Sequence, residues 1–498
     1  MLSIFKQSIE DPGNTLSSWS TEQDCCKWSG VHCNNITGRV TSLQLQDYYL
    51  RGEFNFSLLD LKFLTYLDLR WNEFEFIDFE SILASSENQN SHKVKFSNLI
   101  YLDLSYNFDL QMDNLRWVPH LSSLKYLSLS GIDLSNATLW LQRVTMLPSL
   151  MELQLHDCSL NGISSSLWYV NFTSLTLLDI SSNNINSEMP KWLSNISHVV
   201  SHLDFSHNKL RGQIPATLLN FQQLKYLNLG DNHLNGSIPK WIGQFKYLEH
   251  LDLSNNMLYG PIPATIGNLS SLTYLHVDSN RLNGSLPMDL WQLSKLEILG
   301  IGYNSISGNL SEQSFTKLSN LKALTLDFSD FNFNFGTHWE PPFQLDEISM
   351  SNCKVGPEFP SWLYTQRKLY FLDISSSGLS FNGDSKFWSF VTQIEELDLS
   401  NNSISGDLST TLITSRDIDL HSNKIGGFLP RLSPKVSFFN IANNSFSGPI
   451  YTLLCQNITE EHGLDTLVMS HNLLFGELPD CWMHWPSLMS VNLESNKM

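Results

Sequence analysis

One nine-residue phrase, LxxLxLxxN, returns along the whole chain, and no other feature limits its fold so sharply. LTYLDLRWN ends at Asn72, LKYLNLGDN at Asn232, LEHLDLSNN at Asn256 and LDTLVMSHN at Asn472. Eighteen registers can be laid down. The fourth position is apolar in all of them, from Leu67 to Val491, and so is the sixth, from Leu69 to Leu493. A degenerate unit, VTSLQL (Val40 to Leu45), opens the array, and most repeats follow one another after 24 or 25 residues. A fixed period of this kind overrides the several separate domains that length alone suggests.

Apolar residues at positions four and six, alternating with polar ones, predict a short strand with one buried face. Stacking one coil on the next lays these strands side by side in a parallel sheet. A lone repeat buries too few aliphatic side chains to offset the entropy of ordering its backbone, so its stability comes from its neighbours. Position nine turns the chain out of the strand inside a buried stack, where an unpaired polar group is costly. Asn fills it in thirteen repeats, and Cys158 and Cys353 fill it in two. Those cysteines lie eight repeats apart, on the order of 38 Å at ~4.8 Å per strand, so they do not pair; they read as buried thiols on the turn, with a reactive site the rival reading. Ile132, Ser329 and Ser377 take the position in three more repeats, where a less regular turn is expected.

After the Asn, many repeats continue as LxGxIP: LRGQIP (Leu210 to Pro215), LNGSIP (Leu234 to Pro239), LYGPIP (Leu258 to Pro263) and LFGELP (Leu474 to Pro479). Gly permits the bend, and Pro fixes an extended segment. The combined pattern resembles the plant-type leucine-rich repeat. Longer phrases, VNFTSLTLLDISSN (Val170 to Asn183), PPFQLDEISMSNCKVGPEFPSWLYTQ (Pro341 to Gln366) and GELPDCWMHWPSL (Gly476 to Leu488), resemble plant receptor-like proteins of the xylanase-elicitor receptor type. The resemblance implies an α/β leucine-rich-repeat solenoid, a horseshoe or superhelix with a parallel β-sheet on its concave face. It also implies an N-terminal cysteine-containing cap over residues 1–38, followed by repeats over 39–498, the last of them truncated and without a C-terminal cap.

The repeat is irregular in places. Leu67 to Leu102 spans 35 residues, and the surplus includes SSENQNSHK (Ser85 to Lys93), which reads as a surface loop. Two repeats shrink to 21 residues (Leu397 to Ile418 to Phe439), which leaves no room for a helix on the outer side. The next swells to 28 and carries Cys455. Cys455 lies 16 residues after Phe439 and Cys481 lies 14 after Leu467, so they hold near-equivalent places in consecutive coils and are expected to bond.

The segment DCCKWSGVHC (Asp24 to Cys33) holds three more cysteines. Zinc binding by Cys25, Cys26, His32 and Cys33 is disfavoured, because adjacent cysteines rarely share one tetrahedral ion. By resemblance to the plant cap, Cys26 bonds Cys33 and Trp19 and Trp28 cover the first coil behind a helix carrying Leu2, Phe5 and Ile9. In such caps Cys25 pairs with a cysteine before the helix, so its partner is expected to precede Met1, together with a signal peptide that MLSIFKQSIEDPG does not show. Disulfides imply an oxidising compartment. Twelve N-x-S/T sequons agree, at Asn35, Asn55, Asn136, Asn171, Asn195, Asn235, Asn268, Asn283, Asn309, Asn401, Asn443 and Asn457. Asn401 and Asn443 stand beside the position-nine Asn, where a sugar would obstruct a ligand.

Charge and motif content exclude other classes. A net charge of −19 without any basic run argues against a nucleic-acid surface. No stretch approaches ~18 apolar residues, so this chain has no membrane span. No GxSxG, HExxH or GxxxxGK[ST] appears, GIGYNS (Gly300 to Ser305) lies within a repeat, and no cofactor, metal or enzyme activity is expected. What remains is surface. Positions three, five, seven and eight face the open side of the sheet. Asp fills position five in eight repeats, as template spelling or as an acidic ladder for a basic ligand. Departures from the template nominate ligand contacts: Arg70, Trp71, Tyr106, His156, Asp157, His207, Asp231, Asp278, Tyr303, Asp327 and Phe328.

By resemblance, the chain is the binding ectodomain of a plant cell-surface receptor-like protein. Such receptors sense extracellular microbial proteins or peptides in defence and signal through a partner receptor kinase. The alternatives are a secreted inhibitor of a microbial wall-degrading enzyme, or a truncated receptor that does not signal.

Overall fold

The computed structural model describes the chain except residues 21, 55–57, 59–60, 78–97, 111, 163–171, 197 and 456–462, and the side chains of 54, 76 and 77. The loop 85–93 and the sequons Asn55, Asn171 and Asn457 therefore lie outside the described residues. Two compact units make up the chain, Met1–Leu258 and Tyr259–Met498, and each is a stack of repeat coils.

In the first unit, Val31–Cys33 pairs antiparallel with Val40–Gln44 and starts the ladder. Parallel strands follow at Tyr66–Asp68, Tyr101–Asp103, Tyr126–Ser128, Glu152–Gln154, Leu177–Asp179, His202–Asp204, Tyr226–Asn228 and His250–Asp252. The second unit runs likewise from Tyr274–His276 to Ser490–Asn492. Position four always pairs with position four, as in Leu203 with Leu227 and Leu372 with Leu397. A one-residue slip would turn every buried leucine outward, so the alternation fixes the register.

Position nine holds consecutive coils together. The Asn232 amide donates to Phe205 O in the preceding coil (2.9 Å) and to Leu229 O and Gly230 O in its own (3.2 and 3.0 Å), while its Oδ1 accepts from Leu210 N (2.9 Å). Asn208 and Asn304 repeat the pattern. In three of the five repeats where Asn is replaced, a shorter donor reaches the same carbonyl of the preceding coil: Cys158 Sγ to Leu129 O (3.2 Å), Cys353 Sγ to Leu326 O (3.2 Å) and Ser377 Oγ to Met350 O (2.6 Å), whereas Ser329 Oγ bonds Asp327 O in its own coil and Ile132 offers no donor. The expected irregularity at Ile132, Ser329 and Ser377 does not reach the backbone. Position eight is left-handed in those repeats as in all the others, with φ of 74° at Gly131, 53° at Phe328 and 54° at Ser376.

The outer side differs from a run of α-helices. Five-residue 3₁₀ turns occupy Lys191–Asn195, Ala216–Asn220 and Lys240–Gln244 in the first unit, and Ala264–Asn268, Met288–Gln292 and Ser361–Thr365 in the second. A proline caps the start of each, and a coil of 24 residues leaves little more than one turn of length. The longer insert Ser385–Val391 does form an α-helix. Between Asp398 and Asp417 only the short strands Ser405–Asp407 and Leu412–Ile413 form, as the 21-residue spacing requires.

LxGxIP segments form a second set of strands. Arg281–Ser285, Ser305–Ser311 and Asp330–Asn334 pair in parallel in the second unit, and a separate set runs from Asn382–Gly383 to Leu473–Phe475. The glycine is required by conformation and by space. Gly236 has φ +87°, and a Cβ there would meet Gln213 Cγ at 2.9 Å.

At the N-terminus, the helix Leu2–Ser8 buries Leu2 and Phe5. Ile9 is not part of it: Ile9–Glu10 is a strand paired antiparallel with Arg51 and Gly52. Trp19 and Trp28 stack at 5.2 Å and are buried, and Lys6 Nζ ties the helix to Leu16 O and Trp19 O at 2.8 and 2.9 Å. Cys26 is bonded to Cys33 and Cys455 to Cys481, with Cα atoms 5.5 and 5.4 Å apart. Cys25, Cys158 and Cys353 are free thiols.

Candidate ligand-contact surface

Seven of the eleven nominated contacts stand at position eight (Trp71, Tyr106, Asp157, His207, Asp231, Tyr303 and Phe328), and the other four at position seven. This placement has a physical consequence that the sequence did not reveal. Position eight adopts φ between 49° and 60° in every non-glycine case. Asn, Asp and His enter this left-handed conformation most readily among non-glycine residues, whereas for bulky L-residues it costs about 1–2 kcal/mol. Trp71, Tyr106, Tyr303 and Phe328 hold it at φ 57°, 59°, 51° and 53°.

In the first unit three aromatic rings gather beside Arg70. Trp71 stacks on Tyr106 with centroids 4.4 Å apart, and Phe108 meets both at 5.9 and 6.0 Å. Trp71 is 49% exposed and Phe108 60%. Gly131 makes the cluster possible, since a Cβ there would crowd Tyr106 and Phe108 at 3.1 and 3.2 Å. Phe108 was absent from the sequence-based set, because it follows the position-nine Asn107, outside the positions taken to face the open side. Arg70 lies 3.5 Å from Asp68 and 3.8 Å from Asp103. Burial, reinforced by the Asp103 carboxylate, raises Asp68 above its ordinary pKa, and Arg70 opposes the shift. Further along, His156 Nδ1 meets Ser181 Oγ at 2.8 Å, Asp157 is exposed, and His207 faces Asp231 at 3.5 Å.

In the second unit, Tyr303 and Phe328 stack at 4.7 Å and are 49% and 48% exposed. Asp278 faces His276 at 3.4 Å. Asp327 must be removed from the contact set. It is only 5% exposed, and its Oδ1 accepts from Ser349 Oγ and Ser351 N, both at 2.6 Å. Burial raises its pKa, partly countered by those bonds. Asn401 and Asn443 share position eight and are exposed.

The position-five aspartates serve the strand. Asp204 Oδ1 accepts from both the backbone N and the Oγ of Ser206, at 2.9 and 2.6 Å, and Asp103, Asp179 and Asp252 do the same for the serine two residues on. The spelling LDLS is thus a local hydrogen-bonded unit, and the ladder reads as template. Position three carries a feature that the sequence reading missed. Tyr66, Tyr101 and Tyr126 stack successively at 4.1 Å, and His202, Tyr226 and His250 at 4.0 and 4.2 Å. Tyr126 and Tyr226 hydroxyls lie 3.4 and 3.2 Å from the Asp103 and Asp204 carboxylates, and burial first of all pushes both phenols up to about 12. The signal was the recurring aromatic or histidine before LxL, as in YLDL, YLSL and HLDL.

Among the described residues, the only trio able to approach a metal is Cys25, Cys26 and Cys33, and a disulfide consumes two of those thiols. Burial pushes the Cys158 and Cys353 thiols up, the latter to about 11, which leaves little nucleophilic thiolate.

This architecture has close counterparts. The model of a leucine-rich repeat region matches residues 197–312, that of a leucine-rich repeat N-terminal domain residues 2–34, and that of a single leucine-rich repeat residues 174–196 and 393–414. Receptor-like protein EIX2 of Solanum lycopersicum is 31% identical in an alignment covering 98% of this chain, and Receptor-like protein EIX1 of the same plant is 32% identical over 87% of it. Over nearly its whole length the chain is similar to plant leucine-rich-repeat receptor-like proteins. It spans 60% and 55% of the length of those two relatives. In structure it resembles the leucine-rich-repeat ectodomain of the Arabidopsis receptor kinase HAESA in complex with an N-terminally extended IDA peptide hormone, with a TM-score of 0.77, 28% identity and coverage of 99% of this chain and 84% of that one. The HAESA complex with IDA and the co-receptor SERK1 gives a TM-score of 0.69 at 26% identity, covering 99% and 89%. Among the described residues no helix is long and apolar enough to cross a membrane.

Proposed function

We propose that this chain is the ligand-binding ectodomain of a plant cell-surface receptor-like protein. It recognises an extracellular microbial protein or peptide in defence and signals through a partner receptor kinase. The carrying observation is the exposed aromatic residues at position eight. An ordinary repeat places Ser, Asn or Asp on this left-handed turn, and strained residues persist where function retains them. Trp71, Tyr106 and Phe108, with Arg70, form one anchor cluster, and Tyr303 with Phe328 forms another. Aromatic and arginine anchors dominate binding energy at protein surfaces. Kinship with the EIX receptors supports defence recognition, and the SERK1 complex of a structural neighbour supports a co-receptor kinase. The chain acts as a binding module rather than as an enzyme.

The test uses the secreted, glycosylated chain on a sensor surface against a fungal xylanase, a fungal polygalacturonase and a panel of secreted elicitor peptides. The proposal expects saturable binding of at least one, weakened about tenfold or more by Trp71→Ala or Phe328→Ala, with the bound enzyme still active. Binding that abolishes the enzyme's activity would favour the secreted-inhibitor alternative. Binding indifferent to both substitutions would overturn the assignment of this surface.

A further inference from the structure

The second set of strands in the Tyr259–Met498 unit is interrupted. Asp330–Asn334 pairs with Ser305–Ser311 on one side, and the next strand of this kind is Asn382–Gly383. The coil between, around residues 353–360, forms no strand there. A cavity of about 320 Å³ opens at the break. Phe333 and Phe335, from the strand and its extension, line it together with Val355, Phe359 and Pro360 from the interrupted coil. It reaches Met350, a core residue only 1% exposed.

Three observations mark it as a built site. Its walls are fixed: Phe335 stacks on Trp339 at 4.5 Å, Gly336 N donates to Glu312 Oε1 at 2.8 Å, and Lys354 bridges the coil to Asp330 at 2.7 Å. It holds an unused donor. Trp362 lines the cavity, is 4% exposed, and its Nε1–H has no hydrogen-bond partner among the described residues. The buried indoles of Trp19 and Trp485 donate to carbonyls at 2.9 and 3.0 Å, whereas those of Trp28, Trp192 and Trp388 have no partner among the described residues, so it is its place on an apolar-walled cavity that singles out Trp362. A buried donor without an acceptor costs about 1–3 kcal/mol. Finally, no cation lines the cavity, and the carboxylate of exposed Glu358 disfavours an anion.

We propose that this cavity binds a small, uncharged aromatic molecule of about two fused rings with one hydrogen-bond acceptor, received by the Trp362 Nε1–H. The volume lies at the lower end of the roughly 300–1,000 Å³ of small-molecule sites, too small for a folded partner. Thr337, Ser361 and Glu358 add polar atoms to an otherwise aromatic and aliphatic lining, and predominantly apolar walls with a few polar groups are the usual composition of such sites.

The experiment titrates the intact chain with the fluorescent naphthyl ketone Prodan and then displaces it with acetylnaphthalene or ethylnaphthalene, which match in shape but differ in the acceptor. The expected result is a saturable blue shift of Prodan emission at one site per chain, with acetylnaphthalene about tenfold the stronger competitor. Trp362→Phe should abolish that preference. Val355→Trp, which fills the cavity, should abolish the shift. Circular dichroism verifies folding of each variant. Absence of a saturable shift in the unaltered chain, or its persistence in Val355→Trp, would overturn the site. Equal competition by the two naphthalenes would overturn the donor role of Trp362 and requires no variant.

Discussion

Replacing Asn232 tests whether position nine joins the coils. Asn232→Ala removes three donated bonds and one accepted bond in a site only 7% exposed; it leaves Leu210 N without a partner, while Phe205 O, Leu229 O and Gly230 O keep the donors Asn208 Nδ2, Asn256 Nδ2 and His207 N. One buried N–H left unsatisfied costs about 1–3 kcal/mol and each lost bond to a carbonyl that keeps another donor about 0.5–1.5 kcal/mol, so the coil loses about 3–5 kcal/mol. Asn232→Cys keeps one donor, as Cys158 and Cys353 do, and should lose about half as much. Asn232→Asp keeps the shape but sets a carboxylate oxygen against three carbonyls, so it should be the worst of the three. A long repeat array does not unfold in one step, so a global midpoint is the wrong measure. Hydrogen exchange read by mass spectrometry resolves single coils. Peptides covering 205–210 and 229–232 should exchange about a hundredfold faster in the alanine variant, with peptides over 101–128 unchanged. An aspartate variant as well protected as the unaltered chain, or an alanine variant no worse than the cysteine one, would refute the reasoning.

Three further outcomes can be checked. Burial raises Asp373 to about 6, so the native chain holds this proton more tightly than the unfolded chain, and the associated stability is lost as pH rises through that value. Asp373→Asn, with Asn228 and Asn440 as precedents at position five, should match the unaltered chain near pH 4 and exceed it by about 1 kcal/mol at pH 7 in thermal melts, after allowance for screening at a partly exposed site. Phe328→Asn relieves the left-handed strain and should raise local stability by about 1 kcal/mol, less the loss of the Tyr303 stack; faster exchange of the peptide around 326–330 would contradict this. Iodoacetamide applied to the native chain should label Cys25 and spare Cys158 and Cys353, and native labelling of either buried thiol would contradict the hydrogen bonding described for it.

Periodicity alone determined the coil, the strand register and the identity of the buried face, because a period of two in so short a strand admits one inward set of leucines. Spacing also put Cys455 and Cys481 in consecutive coils and removed the helix between Leu397 and Phe439. Tertiary structure decided the rest. The pattern could not show that position eight is left-handed, since that conformation is set by the stacking of coils and persists even where Ile132 or Ser329 follows it. It could not show that Asp327 is consumed by Ser349 and Ser351 of the next coil, or that Phe108, just past its repeat's Asn107, turns back onto Trp71 and Tyr106, because both depend on how neighbouring coils stack. The break after Asp330–Asn334 was likewise hidden. Whether two strands pair depends on the coils on both sides, and there the missing pairing opens the cavity that Trp362 lines.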